Sequence, residues 1–248
     1  MNLIHDQQMF NSFTQNVLPP LQDGEVYFLS LSARNKYLAK EERERFKLDR
    51  TEMFSRTLCR GNWDYAMSKM TASLSYKTTK SGLPFPKKAL VVYVNINPSS
   101  MASASLEFAK NVMNVSSEML KSYRNRKTPN LKQLDKADRL LMNYIQKSKS
   151  VRYFLDIDVD APVELAEEMS TALYIYGLDH YKIRTKGGMH FLIRRDILRL
   201  RKCPLHEIVN EYNATAKELY GGEVIFNSNA MIPVPGTYQA NFPVGLID

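Results

Sequence analysis

The stretch VRYFLDIDVD, Val151–Asp160, combines a strand pattern with three carboxylates in its last five residues. Its apolar residues alternate, which predicts a strand over residues 151–158 with one buried face. The same alternation turns Asp156 and Asp158 to the opposite face. Two acids on one strand face repel each other unless a cation or a proton lies between them, so the stretch predicts a site for one or the other.

Alternating strand and helix patterns follow this stretch. An apolar stripe that ends at Gly177 predicts a helix, and Gly187–Gly188 predicts a tight turn between two strands. A second apolar stripe, which ends at Gly221, predicts another helix before a fourth strand. The order β-α-β-β-α-β is the ferredoxin-like, or RRM-like, arrangement and predicts an α+β fold. The predicted segments are strands 151–158, HYKIRT (180–185), MHFLIRR (189–195) and EVIFN (223–227), with helices within 161–177 and 204–222.

Asp160 is predicted to differ from the other two acids. Pro162 follows it closely, and an acid just before a helix-starting proline is typical of an N-cap. We therefore predict that Asp160 caps the first helix of this unit.

Two helices should cover one face of the four-stranded sheet and leave the other face open. Burial of the apolar alternate residues places His190 on the open face, with Lys182 and Arg184 near it. In this topology the first and third strands are central, and the fourth strand lies beside the first. The predicted cluster on the open face comprises Asp156, Asp158, Lys182, Arg184, His190 and Glu223.

The acid pair on this face suits divalent metal. Hard oxygen ligands at this spacing can share Mg²⁺ or Mn²⁺. Two such ions stabilise both the attacking and the leaving oxygen in phosphoryl transfer. The pattern therefore predicts metal-dependent phosphoryl transfer.

An RNA-recognition module is the structural alternative, because it has the same topology and uses the same face. Its third-strand signature partly matches KGGMHFLI, residues 186–193. Gly188 and His190 occupy the aromatic positions of that signature, and acids at the centre of the face would repel a phosphate backbone. The replacement of a stacking platform by small and ionisable groups favours catalysis.

Three motifs resemble those of the archaeo-eukaryotic primase superfamily. FLDIDV (154–159) is similar to its hhhDhD motif, and IRTKGGMHFLI (183–193) to its strand-turn-strand motif with a histidine. MIPVPGTYQ (Met231–Gln239) resembles the segment after the family's third motif, and SLSARNKYL (30–38) resembles phage or plasmid members. The resemblance covers about residues 150–242. It implies a two-lobed primase-polymerase core, with an N-terminal α/β lobe over residues 1–150 and an RRM-like catalytic lobe over residues 151–248.

The resemblance also implies an activity: template-directed nucleotidyl transfer that makes or extends primers on single-stranded DNA from nucleoside triphosphates. Asp156 and Asp158 would bind two Mg²⁺ or Mn²⁺ ions. The implied nucleotide-binding residues are Thr185, Lys186, Gly188, His190 and Thr237, to which strand parity adds Lys182 and Arg184. No Walker A sequence is present, so a replicative helicase would be a separate chain. The implied setting is the cytoplasm of a bacterial or phage-infected cell.

The third acid of the family's site is where this sequence departs from the pattern. Glu223 is the only carboxylate in GGEVIFNSNAMIPVPGT (221–237), and Asn227 and Asn229 stand where an acid is expected. Either Glu223 completes the catalytic acids or the site is degenerate. Two alternatives stay open: a non-catalytic single-strand-binding replication protein, and a metal-dependent nuclease or phosphotransferase with a coincidental acid pair.

The composition is compatible with a nucleic-acid partner. The formal net charge is +8 and the sequence pI is about 9.3, which favours a polyanion. No apolar run is long enough to span a bilayer, and the N-terminus lacks a secretory signal pattern. The two cysteines are too few for a disulfide framework, so a reducing compartment is expected. A helix is predicted over residues 103–123, and residues 121–150 form a basic segment with a helix predicted after Pro129.

Overall fold

Two antiparallel sheets form the framework of the computed structural model, which describes residues 2–126, 128, 136–201, 203–227 and 231–247. With strands numbered in chain order, the first sheet contains β1 (Glu25–Ala33), β2 (Glu52–Cys59), β3 (Leu90–Asn95), β4 (Ser99–Ser100), β9 (Met231–Pro233), β10 (Tyr238–Gln239) and β11 (Phe242–Pro243). β1 lies between β2 and β3, and all nine of its residues are buried.

The second sheet contains the predicted ferredoxin-like unit. Its strands are β5 (Phe154–Asp160), β6 (His180–Arg184), β7 (Met189–Arg194), β8 (Glu223–Asn227) and β12 (Gly245–Ile247). The order β12-β6-β7-β5-β8 puts the first and third strands of the unit side by side and the fourth beside the first, as predicted. The pattern did not predict β12, which extends this sheet beside β6.

The α-helices in the described part of the chain are α1 (Gln7–Ser12), α2 (Lys40–Phe46), α3 (Trp63–Tyr76), α4 (Met101–Arg124), α5 (Ala137–Lys147), α6 (Val163–Ile175), α7 (Arg195–Leu200) and α8 (Leu205–Thr215). α4 confirms the helix predicted at 103–123, and α5 lies in the segment predicted after Pro129, which itself falls outside the described residues. Within that part of the chain, no helix has the length and apolar character needed to cross a membrane.

α6 and α8 pack on one face of the second sheet. The buried core there combines Ile157 and Val159 of β5 with Phe191 of β7, Met169 of α6 and Ile208 of α8. A slip of one residue would turn each strand's apolar set to the wrong face, so this core fixes the orientation of β5 and β7. The prediction that the apolar alternate residues of β7 are buried is confirmed.

The opposite face of the second sheet, which the pattern predicted to be open, packs largely against the first sheet. Phe154, Ile183 and Leu192 join the large core of the N-terminal lobe. Asn97 fastens the start of β5 to that lobe, since its side chain accepts from the Phe154 amide at 2.9 Å and donates to the Phe154 carbonyl at 3.1 Å. The first sheet therefore covers much of the acid-bearing face of the second sheet.

The last part of the predicted C-terminal lobe contributes strands to both sheets. Residues 231–243 return to the first sheet, where β9 and β10 pair with β3. Only residues 245–247 add to the second sheet. The prediction missed this because the short return strands find partners distant in sequence, and a local pattern does not name those partners.

The predicted N-cap at Asp160 is also wrong. α6 begins after Pro162 without a side-chain cap, and Asp160 is instead the last residue of β5. β5 runs two residues further than predicted, so alternation keeps Asp160 on the same face as the other two acids. Its Oδ2 lies 3.8 Å from the Lys36 ammonium.

Candidate functional site

Asp156, Asp158 and His190 meet between the central strands, as the sequence predicted. Asp158 lies directly opposite His190 in the β5–β7 register. His190 forms a hydrogen bond with its diagonal neighbour Asp156. The His190 Nδ1 lies 3.1 Å from Asp156 Oδ1 and 3.2 Å from Oδ2. His190 Nε2 lies 3.7 Å from Asp158 Oδ1, which is longer than a hydrogen bond. His190 therefore lies between the two acids but forms a hydrogen bond only with Asp156.

Asn227 of β8 supplies a second donor to the same carboxylate. Its Nδ2 lies 3.0 Å from Asp156 Oδ2, because the register pairs the two residues directly. Asp156 is fully buried, so His190 and Asn227 replace the water that an exposed carboxylate would bind. The place beside Asp156 where a third acid could stand is thus filled by an amide donor.

Glu223 lies at the other end of β8, opposite Asp160, and is exposed. It is four positions along the strand pair from Asp156, which corresponds to about 13 Å. The structure therefore brings Glu223 beside Asp160 and not beside the His190–Asp156 contact.

The acids control the protonation of His190. Burial alone lowers the pKa of His190, but the charges of Asp156, Asp158 and Asp160 outweigh it and raise that pKa to about 9. The pKa of Asp158 is also raised, chiefly by burial and then by its acidic neighbours, against the opposing charge of His190. The side chains of Asp158 and Asp160 are 38% and 48% exposed, so a ligand can reach these two carboxylates but not the buried Asp156.

The N-terminal lobe contributes cations that the sequence reasoning missed. Arg34, just after β1, donates from Nη1 to the Tyr93 hydroxyl at 2.5 Å, and its Nε is buried without a partner among the described residues. Burial lowers the pKa of Arg34, but Tyr93 and then Asp158 raise it above its ordinary value. Lys36 approaches Asp160. The available signal was a pair of basic residues directly after a fully buried strand.

The turn between β6 and β7 reaches the first sheet. The Lys186 amide donates to Gln239 Oε1 at 2.7 Å, and its ammonium lies 4.7 Å from the centre of the Tyr37 ring. Thr185 is buried, and its hydroxyl donates to the Gly188 carbonyl at 3.3 Å. A Cβ on Gly188 would lie 1.9 Å from the Val159 carbonyl oxygen, so glycine is required there for packing.

The predicted orientation of Lys182 and Arg184 is wrong. Ile183 pairs with His190 across β6 and β7 and shares its face, so the two basic residues point to the helix face. The Lys182 ammonium accordingly pairs with Glu167 of α6 at 3.1 Å. The error arose because Tyr181 and Ile183 were assigned to the helix core, whereas they pack against the first sheet.

Thr237, predicted to bind nucleotide, is fully buried in the turn between β9 and β10. Its hydroxyl donates to the Val234 carbonyl at 2.7 Å. The structure therefore places this side chain in a turn and does not bring it to the acids.

The donor set is sparse for the two-metal site that the sequence predicted. Asp158 is partly exposed and carries a charge that its acidic neighbours disfavour, which a cation would offset. Both oxygens of Asp156 already accept hydrogen bonds, and the neighbouring β8 position offers an amide. Among the described residues, no group of three or more His, Cys, Asp and Glu side chains is arranged to hold a metal ion.

Searches against protein-family models, curated proteins and solved structures found no match to this chain. The resemblance to primases therefore rests on the sequence motifs alone.

Proposed function

We propose that this chain is a metal-dependent nucleotidyltransferase of the primase-polymerase type. It would join nucleoside triphosphates to a growing strand on a single-stranded DNA template. The observation that supports this most directly is the acid pair of β5 held against His190 on β7. The motif resemblance alone motivates the associated helicase and the phage-infected or bacterial cytoplasm.

Each residue has a role that its contacts support. Asp158, with Asp156 behind it, would hold Mg²⁺ or Mn²⁺, which when bound polarises a phosphate oxygen and activates the attacking hydroxyl. Asp156 holds His190 in place through Nδ1 and leaves Nε2 directed toward the cleft beside Asp158. That Nε2 is suited to donate to a triphosphate oxygen.

A template-dependent extension assay with Mg²⁺ or Mn²⁺ tests the proposal, with Asp158→Asn as the main variant. We expect a loss of activity on the order of 100-fold or more, as when an electrostatic stabiliser is removed from an active site. The exposed Asp179 provides the matched control, Asp179→Asn, which should retain activity. Because the fold raises the pKa of Asp158 and so disfavours its charge, Asp158→Asn should not lower the melting temperature. Equal extension by the wild type and Asp158→Asn, with every template and nucleotide tried, would refute catalysis by this site.

A second function has one observation in its favour. Asn227 donates to a fully buried Asp156 that also accepts from His190, an arrangement complete without any metal ion. A non-catalytic single-strand-binding replication protein would have such a site as part of its fold. It predicts metal-independent DNA binding that survives loss of both Asp156 and Asp158. In the same assay, shortening of a labelled strand would indicate a nuclease instead.

A further inference from the structure

A groove on the N-terminal lobe concentrates much of the positive charge of this chain. It runs between β2, α3 and the start of α5, encloses about 690 Å³, and adjoins a cavity of about 370 Å³ that shares part of its lining. We call both together the basic groove. Its charged lining comprises seven cations, Lys47, Arg50, Arg56, Lys69, Lys77, Lys80 and Arg139, and three acids, Asp49, Glu52 and Asp138. The excess of four positive charges is half of the formal net charge of +8.

Three of these cations are held close together. Arg56 donates from Nη1 to Asn143 Oδ1 at 2.8 Å and approaches the Arg139 carbonyl at 3.5 Å, while Lys77 donates to the Phe54 carbonyl. Burial, and then the charge of Arg139, lower the pKa of both Arg56 and Lys77. Within the described residues, none of the three forms an ion pair. The packing therefore retains a repulsion that a bound anion would relieve.

Two aromatic side chains that stack on each other also line the groove, of which Phe85 is buried and Phe54 is half-buried. Phe54 and Phe85 stack with their ring centres 4.0 Å apart and an angle of 10° between their planes, and both line the larger cavity. Proteins that bind single strands combine a cationic groove with aromatic side chains. β2 is the edge strand of its sheet in the described part of the chain, so no further strand covers this side.

One hydrogen bond connects the basic groove to the segment before α2. Asp49 lines its smaller cavity, and the Asp49 carbonyl accepts from Asn35 Nδ2 at 2.7 Å. Asn35 is followed by Lys36, whose ammonium lies 3.8 Å from Asp160 Oδ2.

We propose that the basic groove binds the phosphate backbone of single-stranded nucleic acid. This binding is independent of the proposed catalysis. Each phosphate contact in such a complex contributes about 0.7 to the slope of log affinity against log salt.

Fluorescence anisotropy with labelled oligothymidine, in EDTA and over a range of salt, tests this surface. The variant Lys69→Gln/Lys80→Gln/Arg139→Gln changes three exposed side chains of the groove, so the fold should persist with an unchanged melting temperature. We expect the salt slope to fall by about 2 and the affinity to fall on the order of 100-fold at about 50 mM salt. The control Lys87→Gln/Arg199→Gln/Lys217→Gln removes the same charge from other exposed positions. It includes Arg199, which lines a separate arginine-rich cavity.

Retained affinity in the groove variant, or an equal loss in the control, would overturn the assignment. Equally tight binding of duplex DNA would overturn the preference for a single strand. Asp158→Asn should bind as the wild type does, which separates this test from that of the proposed function. If the wild type is inactive in the extension assay, the proposed catalysis is contradicted. The anisotropy measurement would still test whether the basic groove binds a single strand.

Discussion

Asn227→Asp is the substitution that most directly tests the geometry of the site. It keeps the shape of the side chain but replaces the donor at 3.0 Å from Asp156 Oδ2 with a second carboxylate oxygen. Asp156 is fully buried, so water cannot replace the lost donor. Loss of a hydrogen bond to a charged group costs about 1.5–3 kcal/mol, and the adjacent like charge adds to that cost. We expect the free energy of unfolding to fall by about 3 kcal/mol at pH 8 without metal.

Urea unfolding in EDTA measures this loss, and its dependence on pH provides an internal check. The fold should raise the pKa of the introduced carboxylate, since that group is buried beside another acid. The variant should therefore lose stability as pH rises through that pKa and regain much of it near pH 5, where protonation restores a donor. Asn213→Asp is the matched control, because Asn213 uses its amide oxygen, accepting from the Val224 amide at 3.1 Å.

Addition of Mn²⁺ links this prediction to the proposed function. A third acid beside Asp156 should strengthen metal binding. An ion that binds only the folded state raises the free energy of unfolding, and at high concentration the increase grows with the logarithm of the ion concentration. We expect Mn²⁺ to stabilise Asn227→Asp more than it stabilises the wild type. If Asn227→Asp is as stable as the wild type in EDTA at pH 8, the reasoning about the Asp156–Asn227 contact is wrong.

Two further predictions concern stability. Burial lowers the pKa of His180, whose ring nitrogens contact Ser170 at 2.9 Å and the Leu178 carbonyl at 2.8 Å. The contribution of His180 to stability should therefore be complete above pH 6.5 and decrease as pH falls below it. Urea unfolding at pH 7 and pH 5 should show a smaller decrease for His180→Gln, and an unchanged decrease would contradict this account. Gly188→Ala forces a Cβ against the Val159 carbonyl and should lower the free energy of unfolding by about 3 kcal/mol or more in thermal or urea unfolding. Gly24→Ala, with nothing within 4 Å of the added Cβ, should cost only about 1 kcal/mol, and equal costs at both positions would refute the steric argument.

The sequence by itself determined the second sheet and the central part of the site. Alternating apolar residues specified the phase of β5 and β7, and the β-α-β-β-α-β order made these strands neighbours. From those two facts the meeting of Asp156, Asp158 and His190 followed. Local periodicity was sufficient because the helices that bury one face, α6 and α8, come from the same stretch of chain.

Only the tertiary structure decided what covers the acid-bearing face and what completes the site. Periodicity shows that Tyr181 and Ile183 are buried together, but it does not show whether helices or another sheet bury them, so the orientation of Lys182 was predicted wrongly. Lys36 approaches Asp160 from a distant part of the sequence. The hydrogen bond from Asn227 to Asp156 likewise depends on the register between β8 and β5. The sequence showed only that an amide stands where an acid was expected, and not which residue that amide contacts. Contacts between distant segments depend on packing in three dimensions, and a local pattern does not encode the identity of the partner.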